Sequence, residues 1–168
     1  MNQKTEHYWI KNLELSPHPE GGFFKSISQP AESYTTKEGD ERPLYTSIYF
    51  LLNQDSPSHF HRLKSDEVWY FHAGNALTIH MIYPDGRYDQ VNLGAKLENN
   101  EKLQYTVPKG VIFGSSIEGI RGYSLVSCMV SPGFDYEDFE LFTQAELLKD
   151  YPQHEAIIQK LAFEILPD

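Results

Sequence analysis

Between Gly22 and Phe142 the chain runs as a succession of short, period-two segments, each closed by a turn signal. The apolar alternation predicts strands at about 22–29, 46–53, 58–63, 67–73, 76–83, 88–93, 103–107, 111–117, 123–131 and 135–142. Asp55-Ser56-Pro57, Pro84-Asp85-Gly86, Asn99-Asn100, Pro108-Lys109-Gly110, Glu118-Gly119 and Pro132-Gly133 separate them. Many short strands at regular spacing specify an antiparallel sandwich or barrel. The polar stretch 31–43 reads as a surface loop.

The ends read differently. Residues 5–15 form a short amphipathic helix with Trp9 and Leu13 on one face, stopped by Ser16-Pro17-His18-Pro19. Thr143-Gln144-Ala145-Glu146 fits a capping box, and apolar stripes continue to about 162 with a break at Pro152. The expectation is one domain over residues 1–168, with a β-core at about 22–142 and helices at 5–15 and 143–162. A net charge of −10 argues against nucleic acid and anionic membrane as partners. No apolar run approaches the ~18 residues of a membrane span. MNQKTEHYWI has no apolar signal core, so the expected location is the cytoplasm. Cys128 is the only cysteine, which excludes an intramolecular disulfide and a cysteine-based zinc cluster.

The chemistry concentrates in residues 58–74. His59 and His61 are two apart in a predicted strand and should share a face. Glu67 opens the next strand, with Trp69 on its face. If that face is interior, two imidazoles and a carboxylate converge among aromatic rings. Such a set suits a divalent metal held by His59, His61 and Glu67, or acid–base chemistry. The competing reading is surface histidines beside a solvated Asp66-Glu67 pair. His80 reads as a satisfied structural histidine, and the acidic run Asp135, Glu137, Asp138 and Glu140 as an exposed edge.

His59, His61, Glu67 and Gly74 resemble the first cupin motif, although five residues rather than three or four separate His61 from Glu67, with Asp66 at the shorter spacing. Pro108-Lys109-Gly110-Val111-Ile112-Phe113 is similar to the second cupin motif, with Phe113 where a fourth metal ligand would stand. The runs His18-Pro19-Glu20-Gly21-Gly22-Phe23, Ser47 to Leu52, His61-Arg62-Leu63, Ser65 to Trp69 and Val130 to Phe134 resemble an uncharacterised cupin-superfamily family. The resemblance implies an all-β cupin-type double-stranded β-helix, or jelly roll, with short terminal helices, pairing as a homodimer, with a small-molecule ligand in the barrel. It brings no settled activity.

Deoxysugar epimerases of the rhamnose pathway are similar in fold and use a barrel histidine as base, an acidic partner and a tyrosine acid. The matching inventory here is His61 as base, Asp66, Glu67 or Glu20 as partner, and Tyr49 or Tyr123 as acid. Lys25 or Arg62 would supply positive charge, although Arg62 should point away from His61. Ser47, Tyr49, Trp69, Phe113 and Lys25 are the expected substrate contacts. Three readings stay open: an epimerase or isomerase acting on a sugar or other polar carbonyl compound; a metal-dependent cupin enzyme using Fe, Mn, Ni or Zn; and a non-catalytic barrel that binds a small ligand.

Overall fold

In the computed structural model, which describes residues 4–119 and 121–167, the period-two segments fold into two facing antiparallel sheets. The elements in chain order are α1 (Glu6–Leu13), β1 (Ser16–Pro17), β2 (Phe23–Ser28), β3 (Ser33–Thr35), β4 (Glu41–Pro43), β5 (Thr46–Asn53), β6 (Ser58–Leu63), β7 (Asp66–Gly74), β8 (Leu77–Ile82), β9 (Tyr88–Leu93), β10 (Gln104–Val107), β11 (Ile112–Ile117), β12 (Tyr123–Ser131), β13 (Phe139–Leu141), α2 (Gln144–Asp150) and α3 (Glu155–Leu161). One sheet has the order β1-β2-β5-β12-β7-β10 and the other β13-β6-β11-β8-β9. Strands that are consecutive in sequence, such as β5, β6 and β7, alternate between the sheets. That crossing makes the arrangement a jelly roll rather than a meander.

The inner faces meet in a core containing Phe50, Leu52, Trp69, Ile79, Phe113 and Val126. The pleat sends the intervening residues outward. Outside the five-stranded sheet, Phe60, Ile82 and Ile112 are covered by Leu147 of α2 and by Ile158 and Leu161 of α3. Outside the six-stranded sheet, Leu51, Tyr123 and Leu125 are covered by Trp9, Ile10 and Leu13 of α1. Burying an aliphatic or phenyl side chain of this size stabilises by ~1.5–3 kcal/mol, so the terminal helices seal faces the strands alone leave wet. The capping box forms as the sequence predicts: Thr143 Oγ1 accepts from the Glu146 amide, and the Glu146 carboxylate accepts from the Thr143 amide.

Residues 31–43 depart from a plain loop. They carry the β3–β4 hairpin. Arg42 at its end is buried and donates to both carboxylate oxygens of Asp138, at 2.8 and 3.1 Å, and to Glu137 at 3.1 Å. The acidic run is therefore not only an exposed edge. Asp138 lies inside a paired fork, the strong geometry for a guanidinium and a carboxylate.

Candidate functional site

A β-bulge sets which residues of β6 reach the interior. Phe113 of β11 pairs with His61, but Ser115 pairs with Ser58, so three steps on β6 oppose two on β11. The extra residue keeps Ser58 and His61 inward and leaves His59 and Phe60 on the outside. Gly114 permits the bulge, since a Cβ there would lie 2.8 Å from the Ser58 carbonyl oxygen. The His59 ring stacks on Phe163, with centroids 3.7 Å apart. Its Nδ1–H and its backbone N–H both donate to the Glu20 carbonyl, each at 2.7 Å.

That clamp seats the turn ahead of β2. Gly21 has φ +109°, and a Cβ there would come within 1.9 Å of the Pro57 carbonyl oxygen. Only glycine fits so close an approach at that angle. The turn drops the Glu20 side chain into the barrel, 7% exposed. Ser58 Oγ–H donates to Glu20 Oε1 at 2.7 Å. Glu20 Oε2 lies 3.3 Å from His61 Nε2 and 3.7 Å from His18 Nδ1.

The hydrogen positions follow from the partners. His61 Nδ1 is 2.7 Å from the His59 carbonyl, which can only accept, so Nδ1 carries the hydrogen and Nε2 a lone pair. His18 Nδ1 accepts the Glu20 amide N–H at 3.2 Å and is also a lone pair. Glu20 Oε2 therefore faces two lone pairs, and a proton is needed there. Burial pushes the Glu20 carboxyl up and the His61 imidazole down to about 4. Both directions place that proton on Glu20, donating to His61 Nε2. Burial lowers His18 as well.

Glu67 enters from β7 on the facing sheet. Burial, and then the neighbouring Glu20, raise it to about 8. Trp69 Nε1–H donates to its Oε2 at 3.0 Å. That bond occupies Oε2 as acceptor and leaves Oε1 to carry the proton. His18, Glu20, His61 and Glu67 line one cavity of about 210 Å³, walled by Phe24, Ile48, Phe50, Cys128, Phe134 and Tyr136 among others. Ser26, Gln29 and Tyr136 are exposed at its mouth.

A family model described as Cupin superfamily (DUF985) matches residues 7–142. The chain belongs to this cupin family. A hypothetical protein from Leishmania major is 51% identical and superposes with a TM-score of 0.92, over 96% of this chain and all (100%) of that one. Protein SO0799 from Shewanella oneidensis is 50% identical with a TM-score of 0.89, over 95% and 98% of the two chains. The uncharacterized protein YML079W of Saccharomyces cerevisiae is 30% identical over 154 residues, 83% of this chain and 76% of that protein.

This cupin does not assemble the metal set its sequence suggests. The bulge turns His59 out of the cavity, so His59, His61 and Glu67 do not converge. Among the described residues no group of three or more His, Cys, Asp or Glu side chains is arranged to hold a metal ion. At the position of the fourth cupin ligand, the Phe113 ring packs on His61 at 4.1 Å.

The other expected contacts divide. Glu20, His61 and Glu67 meet in the cavity, and Trp69 and Phe113 are buried behind its wall. Asp66 instead accepts from the Lys109 amide at 2.8 Å and borders an open, salt-bridged surface depression of about 900 Å³. Ser47 and Tyr49 alternate away from Thr46, Ile48 and Phe50, the cavity-facing residues of β5. The Tyr49 ring packs on His72 outside the barrel. Lys25 pairs with Glu14 on that same outer side. The Tyr123 hydroxyl accepts from Trp9 Nε1 and donates to the Lys4 carbonyl, so it is no acid for the cavity. Arg62 points outward onto Glu140, as alternation predicts. His80 is satisfied by Tyr88 and Ser116.

His18, Ser58, Phe134 and Tyr136 are the residues sequence reasoning missed. The signal for His18 was its place two before Glu20 in the H-P-E-G-G-F run. The signal for the two aromatics was their place after the Pro132-Gly133 turn.

Proposed function

We propose that this cupin is an isomerase- or epimerase-type enzyme that moves a proton beside the carbonyl of a small, polar, sugar-like substrate. The observation carrying this reading is that Glu67 and the Glu20–His61 pair face one aromatic-walled cavity, with Glu67 displaced to about 8. A group that titrates near neutrality is the efficient donor or acceptor of a proton at physiological pH. Two groups whose environments separate their proton affinities divide the roles of acid and base.

Glu67, once ionised, takes the proton from the carbon next to the carbonyl. Glu20 donates its proton to the carbonyl oxygen as the enediol forms, and His61 Nε2 orients it. Return of a proton to the opposite face, or to the neighbouring carbon, completes an epimerisation or an isomerisation. No electrons are exchanged with a second reactant. This division gives Glu67 the part of base that the sequence assigned to His61, because an imidazole held near 4 is a weak base. A homodimer, the assembly the family resemblance implies, and a cytoplasmic location are part of the same proposal; light scattering on the eluted protein tests the dimer.

The test is incubation in D2O with aldoses, ketoses and their phosphates, read by NMR for deuterium at the carbon beside the carbonyl. Exchange with one compound, lost in Glu67→Gln and reduced in His61→Ala, is the expected result. Tight binding of a compound with neither exchange nor turnover would support the purely ligand-binding barrel instead.

A further inference from the structure

The walls of the cavity hold carboxyls, imidazoles and aromatic rings but, among the described residues, no lysine or arginine. Basic side chains of β2, β4 and β6 are committed elsewhere. Lys25 pairs with Glu14 outside the sheet, Arg42 with Asp138, and Arg62 with Glu140. The floor is buried: Glu20 is 7% exposed, Glu67 8% and His61 1%. A phosphate or carboxylate entering this space would lose its water and gain no counter-charge. Glu67 Oε1, by contrast, has no partner among the described residues and is free to meet a ligand hydroxyl or ammonium.

We infer that the ligand of this cavity carries no phosphate or carboxylate: it is an uncharged polyhydroxylated compound or its aminated counterpart. This rests on the acid–base reading for what happens to the ligand, but not for the charge the cavity admits. It also separates the chain from enzymes whose substrates are held by a phosphate, because such a substrate needs a cation in the site. The volume of about 210 Å³ fits a small compound, below the ~300–1,000 Å³ of drug-sized sites.

Cys128 lines the cavity and is the only thiol in the chain, so it reports the charge preference without any known substrate. The probes are three methanethiosulfonates: the neutral methyl reagent, the cationic trimethylammonioethyl reagent and the anionic sulfonatoethyl reagent. Each rate is read by intact mass and divided by the rate on the urea-unfolded chain. The two charged reagents attack the same thiolate, so its small population cancels in their ratio. At about pH 9, where Glu67 is ionised, the cationic reagent should exceed the anionic one by about tenfold or more, as in clefts lined by one sign of charge. The preference should survive ~1 M salt, where the screening length is ~3 Å and the general surface charge no longer acts. Gln29→Lys, at the exposed mouth, should raise the anionic rate several-fold.

Equal or faster modification by the anionic reagent would overturn the inference. So would a preference that vanishes at high salt; should the buried Cys128 not react, Gln29→Cys in a Cys128→Ala background puts a thiol at the exposed mouth, and the same two outcomes decide. The two proposals fail separately. Exchange into a sugar phosphate would end this inference and leave the acid–base reading standing. A retained charge preference with no exchange into any compound would do the reverse.

Discussion

Glu20 and His61 meet at 3.3 Å through an oxygen and a nitrogen whose own lone pairs face each other. The pair is stable only with a proton between them, and burial keeps that proton on the carboxyl. His61 should therefore stay neutral, with its hydrogen on Nδ1, from neutral pH down to about 4. Nitrogen-15 shifts of the imidazole across pH 3.5–8 check this. An imidazole that protonates near its ordinary 6.5 would contradict it.

Glu67 links the site to folding stability. Its folded value of about 8 lies above the 4.5 of an unperturbed glutamate, so the folded state holds the proton more tightly. The associated stability is complete below about 4.5 and is lost as pH rises through about 8. Glu67→Gln keeps the neutral shape and has no proton to lose. Its melting temperature should match the parent near pH 5 and exceed it above pH 8. The difference should correspond to a few kcal/mol at most, since a tenfold change in proton affinity is worth about 1.4 kcal/mol. Parallel melting curves at both pH values would show that Glu67 titrates normally.

Ser58→Ala removes the hydroxyl that donates to Glu20 Oε1 inside the barrel. A buried carboxyl oxygen left without its partner costs about 1–3 kcal/mol. Chemical denaturation should show that loss with an unchanged denaturant slope.

His59→Ala separates a structural role from a ligand role. The variant loses the Nδ1–H bond to Glu20 and the stack on Phe163, and should be destabilised by about 1–3 kcal/mol. Elemental analysis of natively purified protein should give the same metal content for variant and parent. Metal bound by the parent and missing from the variant would restore the metal-dependent reading.

Gly21→Ala and Gly39→Ala form a matched pair. Both glycines have positive φ, +109° and +96°, but a Cβ at Gly21 would strike the Pro57 carbonyl at 1.9 Å whereas one at Gly39 meets nothing within 4 Å. Gly39→Ala should cost about 1 kcal/mol of backbone strain. Gly21→Ala should cost several times that and displace Glu20, read as a far lower melting temperature.

The barrel was legible because alternation and turn chemistry are local signals. The interior carboxyl Glu67 followed from that alternation, and Glu20 from the family resemblance of its run. What alternation hid was the bulge. One extra residue in β6 exchanges the faces of His59 and Ser58, and it depends on Gly114 of a strand more than fifty residues later. Ser47, Tyr49 and Lys25 were misplaced for the opposite reason: their strands alternate regularly, but a motif fixes no face until the partner strand is known. His18 and the Arg42–Asp138 fork depend on tertiary meetings that no local pattern encodes.

Two buried carboxyls that hold protons at neutral pH carry the proposed chemistry of the cavity. Carbon-13 titration of the glutamate carboxyl groups, assigned with Glu20→Gln and Glu67→Gln, tests it most directly. The expected result is one carboxyl titrating near 8, lost in Glu67→Gln, and a second displaced above 4.5, lost in Glu20→Gln. Two ordinary titrations below pH 5 would mean that both groups are ionised when the protein works, and the division into acid and base would fall.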